Sequence, residues 1–583
     1  MLRVSEEPRI MAEYFTPGVY VEEFDTPVTP SINGVATNIT GFIGVAEKGP
    51  IKGAPVPVKN FADFRKKFGG YLQNSDFGEY RYLAYSVFQY FANGGTRAFV
   101  MRVAPKDAET AKLDGENESA TISATSPGEW GNAIAIKFVP TSQFKMQLLE
   151  DKGEGTYRTK DPSDFLPGDV VVTSGLDDVE YNVVKSIEGK NITFVKPFEG
   201  SVVDDGLVAK VVVRSCEMNV FVTDGESEEK YENCTLNISS PSFIDKKMSA
   251  SEIVNINVSP SDEAMAPVDV IKKIFGVDSD DVRLVLKGGS NGTKGEIDEE
   301  LFIGKDNGPG ERTGIQAFLD NDEVSLMAIP GITNDNIQAE LVKQCETLGS
   351  RFAVLDMPMN LKSPKDLLQQ REKFDSDYCA LYHPWLKVYD PLDKKDFFLP
   401  PSGPVLGIYS RTDNARGVHK APANETVTNC TGLSVEYGKD EQDKLNPHGV
   451  NLIRKFPGQG IRVWGARTAS SKALWKYINV RRLFIYIEES IKANTNWVVF
   501  EPNEPGLWGR VDDMISTFLT GLWQRGALAG GSPEEAFYVN IGPDTMTQQD
   551  IDEGRLICVI GVAPVKPAEF VIFRITQKTG DGE

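Results

Sequence analysis

Short apolar runs and amphipathic stripes alternate along two stretches of this chain. Gly41–Ala46 (GFIGVA) is a short apolar run that reads as a buried strand, and Arg97–Val103 (RAFVMRV) reads as the next strand. Between them, Tyr80–Phe91 sets Leu83, Val87, Tyr90 and Phe91 on one helical face, and Asn93-Gly94-Gly95 stops the helix. The alternation resumes with a strand at Val324–Pro330 and a helix capped by Thr333 or Asn334 and lined by Ile337, Leu341, Cys345 and Leu348. A strand at Arg351–Met357, a helix at Lys365–Phe374 and a strand at Asp377–His383 follow. This pattern predicts a sheet covered by helices, built from elements on both sides of the intervening section.

The intervening section reads differently. Asp169–Thr173, Tyr181–Ile187, Asn191–Val195, Ala209–Arg214, Asn219–Thr223 and Arg283–Lys287 are short β-rich runs, with a hairpin turn at Glu188-Gly189-Lys190. They predict one or two small β domains inserted into the α/β body, with glycine-rich Gly288–Gly310 as the exit linker. In the last third, strands are expected at Ile461–Ala466, Trp497–Glu501, Glu535–Asn540, Arg555–Val562 and Phe570–Gln577. Helix Asn479–Asn494 turns Val480, Leu483, Phe484, Ile487 and Ile491 inward. Pro505 opens a longer helix lined by Val511, Met514, Ile515, Phe518, Leu519 and Leu522 and ended by Gly526.

Both termini are strand material. In Tyr14–Glu23 (YFTPGVYVEE) and the residues after it, Pro17, Pro27 and Pro30 exclude a helix, while Val19, Tyr20, Val21 and Phe24 favour a strand. Proline suits an edge strand or one added to another sheet. The C-terminal Arg555–Gln577 holds two β-rich stretches broken by prolines. Such ends point to assembly rather than catalysis. The expected fold class is a multidomain α/β (α+β) chain, with a helix-covered mixed sheet core formed from both ends, inserted β-rich outer domains, and extended N- and C-terminal strand arms. The expected boundaries are an arm over 1–34, the first part of the core over 35–104, the acidic β-rich insertion over 105–310, the second part of the core over 311–450, a C-terminal α/β domain over 451–565, and an arm over 566–583.

Composition narrows the function. The 583 residues carry a net charge of −22, and about −17 of it falls within Lys106–Gly310. That acidity disfavours nucleic acid and anionic membrane as partners, and marks the middle section as solvated and outward-facing. No stretch of about 18 apolar residues exists to span a membrane. Met1–Ile10 is charged and lacks the apolar run of a secretory signal, so a chain made in a cytoplasm and kept soluble is expected; Met11 is a candidate start. The six cysteines form no C-x-x-C pair and are read as reduced core residues, and there are only three histidines. No metal site and no cofactor are expected.

Motifs for chemistry fail on spacing. Gly288–Lys294 (GGSNGTK) and Gly432–Lys439 (GLSVEYGK) both depart from the phosphate-loop order, and no G-x-S-x-G elbow appears. His383 and His448 read as packed or loop histidines. The strongest enzyme-like set is the polar segment Arg411–Glu425, read as a loop, whose Arg411, Asp413, Asn414, Arg416 and His419 are able to gather around an anion. The alternative is a loop fixed by side-chain hydrogen bonds and salt bridges.

Four segments together carry a family resemblance: Tyr14–Pro50, with T-P-G-V-Y-V-E-E and G-F-I-G-V-A-E-K-G-P; Ser410–Glu425, with R-T-D-N-A-R-G-V-H-K-A-P-A-N-E; Leu445–Thr468, with N-P-H-G-V-N-L-I-R-K-F-P-G-Q-G-I-R-V-W-G-A-R-T; and Tyr477–Gln577, with N-V-R-R-L-F-I-Y-I-E-E-S, W-V-V-F-E-P-N and G-V-A-P-V-K-P-A-E-F-V-I-F-R-I-T-Q. The chain resembles the contractile tail sheath proteins of bacteriophages and phage-tail-like injection particles. The resemblance implies a non-enzymatic subunit that stacks with itself as hexameric rings around an inner tube protein, bounded by baseplate and tail-terminator or cap proteins. It implies assembly in a bacterial cytoplasm and then residence in a phage tail or a released particle. Arm strands would enter neighbouring subunits by β-augmentation. Carried onto this sequence, they are Phe15, Pro17, Gly18, Val19, Tyr20, Val21, Glu22, Glu23 and Phe24 at one end, and Phe570, Val571, Ile572, Phe573, Arg574, Ile575 and Thr576 at the other. The 451–565 domain would face the tube. A phage virion, a tailocin and an extracellular injection system stay open as contexts, the last third being nearest the injection-system branch. An α/β enzyme and a carbohydrate-binding surface protein built on the β insertions are the readings from other classes.

Overall fold

Continuous apolar strands pair most readily where helices cover both faces, and such a sheet organises this molecule. The computed structural model describes residues 31–174, 179–199, 208, 211–570 and 572. Its largest sheet runs in the order Val56–Val58, Ala98–Val103, Thr40–Val45, Leu326–Ala328, Phe352–Asp356, Cys379–His383, Val450–Phe456, Gly460–Val463, Glu425–Thr426. The strands from Ala98–Val103 to Val450–Phe456 are parallel; those at either edge are antiparallel. Thr40–Val45 pairs in register with Leu326–Ala328, so strands far apart in sequence lie side by side.

Alternate side chains feed two cores, one on each face. Ile43, Met101, Met327, Leu355, Leu381 and Leu452 pack with Ile337, Leu341 and Cys345 of helix Asp335–Leu348, whose N-cap is Asn334. Phe42, Val100, Leu326, Val354, Tyr382 and Ile453 pack with Leu83, Val87 and Tyr90 of helix Tyr82–Ala92 and with Val405, Leu406 and Tyr409 of helix Ser402–Arg416. These two helices cross closely. A Cβ on Gly403 would lie 2.5 Å from the Ser86 carbonyl oxygen, and one on Gly407 2.3 Å from that of Tyr90.

Separate cores lie in the middle section. A four-stranded sheet (Ala135–Thr141, Glu217–Thr223, Glu228–Cys234, Val282–Val285) and a three-stranded one (Lys112–Asp114, Ala120–Ala124, Val254–Val258) enclose Ile122, Phe138, Val220, Ile271 and Leu284. A seven-stranded antiparallel sheet closes over Leu148, Tyr157, Ile192, Phe194 and Val213. The first of these cores docks on the large sheet through a nearly buried Lys48–Asp224 ion pair of 2.6 Å and a bond from Gly49 N to Ser126 Oγ of 3.0 Å.

Two expectations need correction. Gly288–Gly310 is more than a linker: it folds a helix at Glu299–Ile303 and buries Ile297 and Phe302 in the main core. Its glycines allow close backbone passage, since a Cβ on Gly304 would meet the Thr313 carbonyl oxygen at 1.9 Å. Trp497–Glu501 is a 3-10 turn (Asn496–Val498) followed by a bend, not a strand, and among the described residues no neighbouring edge pairs with it.

Candidate assembly surface

The C-terminal region is built on two helices, Ile478–Asn494 and Pro505–Gln524. Pro505 opens the second at a position where a missing N–H costs nothing. Its Val511, Ile515, Phe518, Leu519 and Leu522 form one core with Leu483 and Ile487 of the first. Over that core lies an antiparallel pair of strands, Phe537–Ile541 and Cys558–Val562. Phe537, Val539, Ile541, Cys558 and Ile560 turn toward the helices yet stay half-exposed, while Tyr538 and Val559 face solvent. Tyr538 opposes Gly561, where any Cβ would strike the tyrosine ring.

Among the described residues this sheet has two strands, so each outer edge offers unpaired backbone N–H and C=O groups along Phe537–Ile541 and Cys558–Val562. A two-stranded pair is marginal by itself and gains from further strands. The inward side chains are half-exposed in the way an incomplete sheet leaves them.

Both ends of the described chain converge on this region. At the N-terminal end, Asn494 Nδ2 donates to the Asn33 carbonyl at 2.9 Å, and Val35 N donates to Ser490 Oγ at 3.1 Å. Thr37 Oγ1 donates to Asp413 at 2.6 Å, and Asp413 is gripped by both terminal nitrogens of Arg482, at 3.1 and 2.5 Å. The Asp413 and Arg482 side chains are each only 3% exposed. At the C-terminal end, Ala529 N donates to the Ala563 carbonyl at 2.7 Å, and Glu569 is held by Arg467 through bonds of 2.9 and 2.5 Å. Burial favours a protonated Glu569, but the hydrogen bonds and charge of Arg467 outweigh it and hold the carboxyl below its ordinary range. Just beyond, Phe570 and Ile572 are 76% and 79% exposed. The other expected arm residues, Phe15, Pro17 to Phe24, Val571 and Phe573 to Thr576, lie outside the described residues.

The expected anion loop does not form. Arg411, Asp413, Asn414 and Arg416 belong to the last turns of helix Ser402–Arg416, and helical phase sends them apart. Arg411 caps the carbonyls of Asn93 and Thr426, Asn414 bonds Asn38, and Asp413 meets Arg482. The His419 carbonyl accepts from Asn479, and burial, helped by Arg416 and Arg525, lowers the pKa of its ring. Arg482 was missed by sequence reasoning. Its signal was present in Arg481-Arg482, two charges set between Val480 and Leu483 on the apolar first half of the helix.

Other chemical candidates are also tied up in structure. In the Gly288–Lys294 segment, Gly289 N donates to Asn132 Oδ1 and Thr293 N to Asp107 Oδ1, so those amides face protein acceptors. At the carboxyl ends of Thr40–Val45 and Ala98–Val103, the buried Arg102 caps the carbonyls of Ala46, Glu47, Gly49 and Pro127 at 2.8–3.1 Å. Burial pulls the Arg102 pKa down to about 9. His383 is buried with Nε2 3.0 Å from Tyr437 Oη, and burial pushes its pKa down to about 4. Among the described residues no three His, Cys, Asp or Glu side chains are grouped to hold a metal ion, and no helix is long and apolar enough to cross a membrane.

Family comparison decides what this geometry belongs to. The phage tail sheath protein central domain matches residues 308–469, and the phage tail sheath C-terminal domain matches residues 470–578. The chain carries both tail sheath domains. Escherichia phage P2 has a tail sheath protein that is 24% identical over 326 residues, covering 54% of this chain and 77% of that one. For the tail sheath protein of Burkholderia phage BcepMu the identity is 26% over 299 residues, covering 48% and 60%. In fold, the chain is similar to the sheath of an extracellular contractile injection system, the PVC sheath complex in its contracted state, with a TM-score of 0.50, 21% identity and coverage of 97% and 99%. A crystal structure of a sheath tail protein from Listeria innocua gives a TM-score of 0.51 at 12% identity, covering 92% and 96%. The two sheath domains meet through side chains: Asp413 and Arg467 belong to the central one, Arg482 and Glu569 to the C-terminal one.

Proposed function

We propose that this chain is the structural subunit of a contractile sheath, stacking as hexameric rings around an inner tube and contracting to drive that tube through a target envelope. The observation that carries this reading is the sheet Phe537–Ile541/Cys558–Val562, which among the described residues has two strands and is open at both edges, within the part of the chain that matches the tail sheath C-terminal domain. Its unpaired edges suit strands donated by neighbouring copies, Phe15–Phe24 from one and Phe570–Thr576 from another. Residues 451–565 then face the tube, and the acidic 105–310 section faces outward. Work comes from repacking a metastable lattice, a bistable element, rather than from a bound nucleotide or a catalytic step. Partners are further copies of the chain, the tube, the baseplate and a terminal cap. Assembly takes place in the bacterial cytoplasm, and the finished sheath resides in a phage tail or a released phage-tail-like particle.

The test is negative-stain electron microscopy of the full chain beside a variant lacking residues 1–24. Striated tubes or hollow cylinders from the full chain, and folded monomers from the truncation, are expected. Regular sheaths from the truncation refute the donated N-terminal strand.

A further inference from the structure

The C-terminal segment does not leave the body where its last β-type backbone bonds end. Those bonds run to Val565, whose N–H donates to the Ala527 carbonyl at 3.3 Å and whose carbonyl accepts from Asn479 at 3.2 Å. Lys566, Pro567 and Ala568 follow, and then Glu569 is seized again. Arg467 Nε and Nη2 grip its carboxylate in a two-pronged pair, and Tyr477 Oη adds a third donor at 3.3 Å. A fork of this kind fixes direction as well as distance. The two side chains are only 10% and 16% exposed.

Arg467 is itself braced. Its guanidinium lies over the Tyr477 ring, its Nη1 donates to the Pro447 carbonyl at 3.2 Å, and its backbone is bonded on both sides by the buried Asn451 side chain of strand Val450–Phe456. The grip on Glu569 thus runs straight into the large sheet. One residue further on, Phe570 stands exposed, and so does Ile572.

We propose that Arg467, Tyr477 and Glu569 form a clasp that positions the root of the C-terminal arm, so that the segment departs from Glu569 in a fixed direction toward its acceptor on a neighbouring copy. This rests on the donated-strand reading above. With the clasp closed, the strand material starting at Phe570 has no slack. With it open, the free root retreats to Val565, and four residues of tether add up to about 13 Å of undirected reach. Pre-organisation is lost, and the effective concentration of the arm at its acceptor falls.

Three variants of the full chain, produced with the other particle components, separate the possibilities: Glu569→Ala, the double variant Arg467→Met/Glu569→Leu, and a truncation lacking residues 570–583. Purified subunits are first compared with the unmodified chain by thermal melting, so that a folding defect is recognised. Glu569→Ala and the double variant are expected to melt as folded subunits yet yield at least about tenfold fewer regular extended sheaths by electron microscopy. The double variant matters because it removes the clasp without leaving a lone buried charge. If it assembles normally while Glu569→Ala fails, the pair serves charge compensation only and the positioning role is overturned. Normal assembly by both variants, with failure of the truncation, overturns the clasp and leaves the arm intact. Normal assembly by the truncation overturns the arm reading itself.

Discussion

Asp413→Ala tests whether the two sheath domains are held together by the buried cross-link at Asp413. Asp413 accepts two bonds from Arg482 and one from Thr37, and Arg482 also donates to the Thr37 carbonyl at 2.9 Å and lies 4.8 Å from the centre of the Tyr409 ring. Both side chains are 3% exposed, so water does not screen the charge that remains. Removing one partner of such a pair costs about 3–5 kcal/mol, whereas replacing both with apolar groups of similar volume is close to neutral. A chain with several cores does not unfold in one step, so the assay must be local. Hydrogen exchange measured on peptides from Ile478–Asn494 and Ser402–Arg416 is suitable. A local loss of 3–5 kcal/mol speeds exchange there by roughly two to four decades, while peptides from the seven-stranded sheet stay unchanged. The double variant Asp413→Leu/Arg482→Met should recover most of the protection. The reasoning fails if Asp413→Ala accelerates exchange by less than about tenfold, or if the double variant is as loose as the single one.

Two titrating groups are expected to oppose each other between about pH 4 and 6.5. Burial lowers the His383 pKa from 6.5 to about 4, so its contribution is present above the unfolded value and is lost, by roughly 3 kcal/mol, as pH falls through that window. Burial raises the Asp356 pKa to about 6 despite bonds from Gly331 N and Ser402, so its contribution is present at low pH and is lost, by a similar amount, as pH rises from about 4 through 6. His383→Gln should unmask the second trend, seen as hydrogen-exchange protection of peptides from Phe352–Asp356 that, corrected for the intrinsic pH dependence of exchange, falls from about pH 4 to 6; a flat or rising profile contradicts it. Gly407→Ala, placing a methyl group 2.3 Å from the Tyr90 carbonyl oxygen, should cost about 1–3 kcal/mol in urea unfolding of the central domain. Gly521→Ala, in the Pro505–Gln524 helix with open space around it, should instead add up to about 1 kcal/mol, and equal effects at both sites contradict the packing argument.

The parts of this fold that sequence reveals are those whose local pattern and burial agree. Gly41–Ala46 reads as a buried strand because a parallel strand under two helical layers favours a near-continuous apolar run, and Arg97–Val103 follows that pattern except at its two arginines. The Pro505–Gln524 helix was legible from its single stripe. Helix Ser402–Arg416 was not, since Gly403, Pro404 and Gly407 argue against a helix locally and are explained only by its close crossing with Tyr82–Ala92. Trp497–Glu501 failed in the opposite sense: its β-type composition was clear, but strand formation depends on a pairing edge that sequence does not display. The edges that the Phe537–Ile541/Cys558–Val562 pair leaves open among the described residues were equally invisible, because the lack of a neighbour leaves no trace in a strand's own residues.

The arginines carry the argument from fold to mechanism. Arg102 caps the carbonyls of Gly49 and Pro127, Arg351 those of Phe318 and Asn321, and Arg411 those of Asn93 and Thr426. In each case a group that a catalytic site would aim at a ligand instead ties loops and helix ends to their neighbours. Arg482 and Arg467 then join the central domain to the C-terminal one. A body stitched in this way resists internal rearrangement, because each move would strand a buried guanidinium. In the proposed lattice, large displacements therefore fall between subunits rather than within them. Contraction by rigid bodies on hinged connections is what such a distribution of bonds favours.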